Sequence, residues 1–356
     1  MPDNNINNVD HLGFEEKIAE FDCQMNELRK LSSVKGIDYS AEIRGLQKQQ
    51  VAELKNVYSK LSAWQTVQVA RHPKRPLACD YLELMVKDFR ELHGDRCFGD
   101  DRAIITGFGH IGRERVMLIA QNKGRNIKQK IECNFGCPNP EGYRKALAKM
   151  KFAEKFNIPI ITLIDTPGAY PGVGAEERGQ AQAIAVNLME MSRLKVPVIC
   201  IVIGEGGSGG ALGIGVGDKF AMLEYAYYSV ISPEGCAGIL WRDGSQASLA
   251  AEALKLTSKD LYKLGLIDEI IQEPLGGAHR NMHDAIYNVE KYIIKTLREL
   301  KRVKIENLVE DRYQKLRLIG SISTETLSSK TKAGRERIKI AVQNIKSKSK
   351  RVHAKV

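Results

Sequence analysis

The sequence has no long hydrophobic run and no leader-like N-terminus. None of its 356 residues falls in a stretch of about 18 uninterrupted apolar residues, the length of a membrane-spanning helix. Residues 1–10 are polar and rich in asparagine, without the basic and then apolar pattern of a signal peptide. These absences argue against a membrane protein and predict a cytoplasmic location.

Paired metal ligands are also lacking. The seven cysteines are scattered, and only Cys133 and Cys137 stand close together. A closed zinc site usually takes two tight pairs of cysteine or histidine, and no second pair is visible. We therefore expect unpaired thiols and no metal site in this chain.

The excess of positive charge is confined to the C-terminus. Of the net charge of +11, residues 321–356 contribute +8, because they carry ten Lys or Arg against two Glu. This serine- and lysine-rich segment with few apolar residues predicts a mobile basic tail. A solubilising extension is the simpler interpretation, and any contact with nucleic acid would come through this tail.

Three familiar motifs are absent or misplaced. Asp165-Thr-Pro-Gly168 resembles a GTPase element, but the dipeptide Gly-Lys that a phosphate loop requires occurs nowhere. The chain has no Gly-x-Ser-x-Gly elbow, and Ser208 fits a helix cap better than a nucleophile. Gly204-x-Gly206-x-x-Gly209 matches the dinucleotide fingerprint, but at least two strand units precede it, whereas that fingerprint normally follows the first strand.

The N-terminal part is predicted to be a helical hairpin. Apolar residues recur at helical spacing over residues 13–70, with a break around 34–39. Its apolar stripe would cover either its own domain or another subunit. Residues 71–75 are interpreted as an extended basic linker.

Short apolar runs followed by glycine-rich loops define the central part, residues 80–275. The runs are 116–120, 160–164, 198–203 and 228–231, and the helix candidates between them are 141–156, 176–193 and 209–217. This alternation predicts a parallel sheet with right-handed crossovers. The similar entries Asn157-Ile-Pro159 and Lys195-Val-Pro197 predict stacked, spiralling units, and Ile286–Lys301 is predicted to be an amphipathic helix.

Two glycine-rich segments are predicted to converge beyond neighbouring strands: residues 168–172, here the 168–172 loop, and residues 204–210, the 204–210 segment. Consecutive glycines allow close approach to the backbone, and a helix that follows offers free N–H groups. One amide from each segment would form a two-donor oxyanion hole for charge that develops during reaction.

Long motifs in this chain resemble one family. They are Lys123-Gly-Arg125, Ile164-Asp-Thr-Pro-Gly-Ala-Tyr-Pro-Gly172, Gly204-Glu-Gly-Gly-Ser-Gly-Gly210, Ser229-Val-Ile-Ser-Pro-Glu-Gly235 and Glu273-Pro-Leu-Gly-Gly-Ala-His-Arg280. Over roughly residues 13–318 the sequence resembles the carboxyltransferase alpha subunit of multi-subunit, bacterial-type acetyl-CoA carboxylase. The basic tail departs from that pattern.

The resemblance implies an α/β, crotonase-like spiral of ββα units with an N-terminal helical hairpin and a basic C-terminal tail. The expected organisation is a docking region at 1–75, a carboxyltransferase domain at 76–285, a helical segment at 286–320 and the tail at 321–356. The implied reaction transfers a carboxyl group from carboxybiotin to acetyl-CoA, giving malonyl-CoA for fatty-acid synthesis.

The same resemblance implies partners and cofactors. Biotin is carried covalently on a separate carrier protein, and biotin carboxylase belongs to the same system. The beta subunit completes an α2β2 assembly and holds the only zinc.

The site residues follow from matching the motifs. The implied hole donors are the amides of Ala169 and of Gly209 or Gly210, and Gly206 and Gly207 remain open because sequence does not fix the register. The expected substrate-binding residues are Lys123, Gly124, Arg125, Gly168, Pro171 and Gly172. An alternative is a self-contained crotonase-type acyl-CoA hydratase or isomerase, which would need Glu205 or Glu234 as acid and base.

Overall fold

The computed structural model describes residues 11–320, within which eight strands form one mixed sheet. They are β1 (Lys87–Glu91), β2 (Ile104–Ile111), β3 (Glu114–Gln121), β4 (Ile160–Thr166), β5 (Val198–Gly207), β6 (Lys219–Leu223), β7 (Tyr227–Ser229) and β8 (Glu269–Ile271). β4 and β5 are buried along their whole length, as expected of central parallel strands covered on both faces.

The strand order is β1-β2-β3-β4-β5-β6-β8, with β7 pairing to β5. The pairs β1–β2 and β2–β3 are antiparallel, and all pairs from β3 onward are parallel. β5 pairs with β6 over residues 199–202 and with β7 over residues 205–207, so it changes partner along its length. This change of partner fits the spiral predicted from the repeated strand entries.

The described helices are numbered in chain order. They are α1 (Glu16–Lys35), α2 (Ser40–Ser59), α3 (Ala63–Ala70), α4 (Ala78–Met85), α5 (Ile127–Glu132), α6 (Pro140–Lys155), α7 (Val173–Glu177), α8 (Gln180–Met191), α9 (Ser208–Leu212), α10 (Pro233–Trp241), α11 (Ala247–Leu254), α12 (Ser258–Lys263), α13 (Met282–Leu300) and α14 (Ile305–Leu318). The amphipathic helix predicted near the C-terminus is confirmed as α13.

The predicted strands were too few. The first three apolar runs are confirmed as β3, β4 and β5, but the fourth is shifted, since β7 ends at Ser229. β1, β2, β6 and β8 were missed. β1 has a largely exposed sequence, Lys-Asp-Phe-Arg-Glu, and β8 has only three residues, so neither carries the continuous apolar run of a buried strand.

Two predicted helices differ from the structure. The candidate at 176–193 is divided into α7 and α8 by Gly179, whose φ of +82° is left-handed. The candidate at 209–217 shrinks to the five residues of α9. Glycines at 213, 215 and 217 explain this early end, because glycine stabilises a helix interior poorly.

The N-terminal hairpin is confirmed as α1 and α2, and its base packs on the central part of the chain. Ile18, Tyr58 and Tyr225 are buried in one cluster, and Glu15 accepts hydrogen bonds from Tyr58 and Arg280. Packing on its own domain therefore accounts for this end of the apolar stripe.

The interpretation of residues 71–75 as a basic linker is wrong. Arg75 is buried, with its guanidinium on both carboxylate oxygens of Glu273 at 2.6 and 2.9 Å. Its Nε also donates to the carbonyl of Ile203. A buried arginine needs such partners, which a pattern of local charge does not reveal.

The chain divides into two compact units, of which the first extends to Arg312 and the second begins at Tyr313. The four-part organisation predicted from the sequence stays a prediction, and the polar residues 1–10 and the basic tail 321–356 lie outside the described residues. In residues 11–320 no helix is long and apolar enough to cross a membrane. The same residues contain no group of three or more His, Cys, Asp or Glu placed to hold a metal ion.

Candidate active site

The 168–172 loop and the 204–210 segment meet beyond the carboxyl ends of β4 and β5. A Cβ on Gly210 would lie 2.4 Å from the amide nitrogen of Ala169 and 2.4 Å from the carbonyl carbon of Gly168. A Cβ on Gly207 would lie 2.1 Å from the carbonyl oxygen of Pro167. Only glycine permits these approaches, so the predicted meeting of the two segments is observed.

The first half of the 204–210 segment is strand rather than loop. β5 continues to Gly207, where the sequence suggested an end at Ile203. A side chain at Gly204 would meet the carboxylate of Asp165 at 2.6 Å, and one at Gly206 would meet the ring of Tyr228 at 2.5 Å. The glycines here let a strand pass between crowded neighbours.

Three main-chain N–H groups are left for a ligand where the segments meet. Within residues 11–320, the amides of Ala169, Gly209 and Gly210 donate to no protein acceptor. Gly209 and Gly210 stand in the first turn of α9, where intrahelical acceptors do not exist. Ala169 and Gly209 are partly exposed. These amides are the donors that a small oxyanion hole requires.

Ser208 does not cap the helix. Gly207 is the N-cap residue and no side-chain cap bond is present, while Ser208 has a φ of +50° and an exposed side chain. The prediction of a serine cap was wrong. A left-handed non-glycine residue stores strain, and such residues concentrate at functional sites.

A buried ion cluster lies beneath the two segments. The Oε1 atom of Glu205 accepts from Nε of Arg71 and from the hydroxyl of Tyr227, both at 2.6 Å. Its Oε2 lies 2.5 Å from Nζ of Lys123, which also lies 2.7 Å from Asp165. Arg71 extends the cluster to Glu234 at 2.5 Å.

The oppositely charged groups of this cluster keep one another ionised. Burial alone would raise the pKa of Glu205, but Lys123 and Arg71 lower it to about 2. Burial would likewise lower the pKa of Lys123, but Asp165 and Glu205 raise it. Glu205 is therefore an ionised carboxylate at neutral pH, and a carboxylate so stabilised is a poor proton donor.

Acidification is expected to weaken the fold through Glu205. Because its pKa is depressed from 4.5 to about 2, its contribution is present above pH 4.5 and is lost as the pH falls toward 2. Unfolding free energy measured across that range should decline more steeply for the wild type than for Glu205→Gln, which lacks this group. Equal slopes in the two proteins would contradict the assignment.

The predicted substrate-binding residues lie in two places. Lys123, Gly124 and Arg125 line a cavity of about 140 Å³, together with Asp165 and Glu205. Arg125 is largely exposed and pairs with Asp80, outside the ion cluster. Pro171 is exposed, Gly172 contacts the ring of Tyr170, and Gly168 adjoins Gly210.

Sequence reasoning missed Arg71, Tyr227 and Gln121. Arg71 follows α3, far from the glycine motifs in the chain, and was assigned to the linker. The buried side chain of Gln121 at the end of β3 accepts from the amide of Asp165 and donates to the carbonyl of Gly210. Its position at the end of a buried strand, two residues before the Lys123-Gly-Arg125 motif, is the one signal that pointed to it.

Comparisons with known proteins agree on the family of this chain. Residues 11–320 match the family model described as acetyl co-enzyme A carboxylase carboxyltransferase-like. The acetyl-coenzyme A carboxylase carboxyl transferase subunit alpha of Rhodopirellula baltica is 53% identical over 315 residues, which cover 88% of this chain and 98% of the relative. The protein of the same name from Thiobacillus denitrificans is 53% identical over 310 residues, covering 87% and 96%.

Among solved structures, a Pseudomonas malonate decarboxylase hetero-tetramer in complex with coenzyme A is similar in fold. Its TM-score is 0.50 at 15% identity, over 69% of this chain and 92% of that chain. At this identity the likeness concerns the fold alone.

The α/β sheet with its two converging glycine segments has the crotonase-like fold that the sequence predicted. The chain belongs to the acetyl-CoA carboxylase carboxyltransferase family, as an alpha subunit. The carboxyltransferase function predicted from the sequence is thereby confirmed. The hydratase or isomerase alternative is not favoured, since the relatives carry the carboxyltransferase name.

Proposed function

We propose that this chain supplies one half of a shared active site, in which main-chain amides bind the biotin-linked carboxyl donor. The observation that supports this most directly is the contact of Gly210 with the main chain of Gly168 and Ala169. It brings the amide of Ala169 beside the first turn of α9, where the amides of Gly209 and Gly210 donate to no acceptor within residues 11–320.

These amides act as fixed dipoles. Carboxybiotin supplies the carboxyl group, and its ureido nitrogen supplies the base. The amides of Ala169 and of Gly209 or Gly210 stabilise negative charge on the ureido oxygen when it develops. Because the backbone already holds these donors in place, little reorganisation is needed during the reaction, and each donor is worth about 2.7–4 kcal/mol.

The ion cluster supports the hole rather than moving protons. Glu205 is held between Lys123 and Arg71, and its amide donates to Asp165 at 2.8 Å. The main chain at the start of the 204–210 segment is thereby tied to the end of β4. Because its carboxylate is already paired with Lys123 and Arg71, Glu205 is also a poor candidate for the base of a hydratase. Substrate contacts by Lys123, Gly124, Arg125, Gly168, Pro171 and Gly172 stay a prediction, with the cavity beside Glu205 as the candidate place for the first three.

The finer assignments extend this proposal. A beta subunit in an α2β2 assembly would hold acetyl-CoA and the zinc ion, a biotin carrier protein would deliver the donor, and biotin carboxylase would recharge it. The product would be malonyl-CoA for fatty-acid synthesis, made in the cytoplasm. The family membership supports this division of labour.

The test is reconstitution. The purified chain should be inactive alone, and malonyl-CoA should form from acetyl-CoA when the beta subunit and carboxylated carrier are added. Omitting the beta subunit from the same mixture is the matched control. Activity of this chain alone at the level of the complex would overturn the shared site.

A further inference from the structure

One buried side chain joins the two segments that form the hole. Gln121 is fully buried at the end of β3. Its Oε1 accepts from the amide of Asp165 at 3.1 Å, and its Nε2 donates to the carbonyl of Gly210 at 2.8 Å. A single amide group thus connects the end of β4, from which the 168–172 loop departs, to the start of α9.

The orientation of this amide is fixed by its partners. A main-chain N–H requires an acceptor and a carbonyl requires a donor, so exchanging the oxygen and nitrogen of Gln121 would lose both bonds. Glutamate in its ionised form would keep the bond to Asp165 and lose the bond to Gly210. The position is therefore selective for an uncharged group with one donor and one acceptor.

The carbonyl oxygen of Gly210 accepts hydrogen bonds from side chains. In a longer helix it would accept from the amide of Ile214, but that amide donates to Ala211 instead. The hydroxyl of Tyr143, which is buried, donates to the same carbonyl at 3.2 Å. Gln121 and Tyr143 together hold Gly210 where its Cα faces the main chain of Ala169.

We infer that Gln121 is a positioning residue for carboxyl transfer, because its amide sets the separation of the Ala169 and Gly210 main chains. This inference rests on the proposed hole. Gln121 is fully buried, so its effect on the reaction would pass through the Gly210 carbonyl. A change of about 1 Å in the position of a reacting group can lower the rate by on the order of 100-fold.

The test uses the reconstituted complex with Gln121→Met, which keeps the side-chain length and loses both hydrogen bonds. We expect kcat to fall by about 10-fold to 100-fold, with the KM for acetyl-CoA changed by less than about 2-fold. The control is Thr162→Val, which alters a buried side chain of β4 whose hydroxyl has no hydrogen-bond partner within residues 11–320. Its kcat should stay at the wild-type value.

Each outcome decides the inference. A wild-type kcat in Gln121→Met would overturn it, and so would an equal loss in Thr162→Val. If Gln121→Met does not fold, Tyr143→Phe carries the test, because it removes the other hydrogen bond to the Gly210 carbonyl. A several-fold loss of kcat then supports the inference, and an unchanged kcat overturns it. The hole itself is tested separately through Gly210, so normal activity of Gln121→Met beside an inactive Gly210 variant would leave the proposed function standing.

Discussion

Replacing Gly210 by alanine is expected to lower carboxyl transfer by about 10²–10³-fold, the loss typical of removing one oxyanion-hole donor. The added Cβ would lie 2.4 Å from both the Ala169 nitrogen and the Gly168 carbonyl carbon, so one of the two segments must move. Either movement separates the amides that face the ligand. The rate of malonyl-CoA formation by the reconstituted complex is the measurement.

Gly45→Ala is the matched control for this substitution. Gly45 lies inside α2, and a Cβ there would meet nothing within 4 Å. Alanine at this position should retain full activity and stabilise the helix by about 0.5–1 kcal/mol. Gly209→Ala should lose less activity than Gly210→Ala, because a Cβ on Gly209 would come no closer than 3.8 Å to another atom, in the side chain of Ile184. Full activity of Gly210→Ala would mean that the hole lies elsewhere.

Lys123→Met is expected to destabilise the protein by about 3–5 kcal/mol, the usual cost of removing one partner from a buried ion pair. The Lys123 side chain is 17% exposed, and its ammonium nitrogen lies within 2.7 Å of both Asp165 and Glu205. Without it, the neighbouring buried carboxylates of Asp165 and Glu205 repel each other, and of these two only Glu205 is paired with Arg71. The free energy of unfolding in urea, at neutral pH, measures the effect.

A surface ion pair provides the comparison. Lys151 pairs with Glu190 at 2.8 Å, but its side chain is 50% exposed. Exposed pairs contribute about 0–1 kcal/mol, so Lys151→Met should change the free energy of unfolding little. Equal stability of the Lys123→Met and Lys151→Met variants would contradict the proposal that the ion cluster stabilises the structure around the hole.

Much of the fold could be predicted because central parallel strands carry an unmistakable pattern. Residues 198–203 form a continuous apolar run between Pro197 and Gly204, and residues 160–164 form a run after Pro159 that is interrupted only by Thr162. The structure has β5 and β4 there. The antiparallel strands β1 and β2 were missed, because β1 is mostly exposed and β2 alternates small and large residues. Their place in the sheet is decided by pairing with distant residues, which local sequence does not encode.

The sequence allowed the main-chain contacts of the site to be predicted, but not the side-chain contacts. Glycines mark close backbone approach directly, so the meeting of residues 168–172 with residues 204–210 could be expected. The partners of Glu205 could not, because Arg71 and Tyr227 are 134 and 22 residues away in sequence and meet it only through tertiary packing. Arg71 was assigned to a linker for the same reason.

The most direct test of the account is a crystal structure of the reconstituted complex with biotin bound. We predict that the ureido oxygen lies about 2.7–3.1 Å from the amide nitrogen of Ala169 and from that of Gly209 or Gly210. A ureido oxygen held by side chains, with both of those amides directed away from it, would contradict the account.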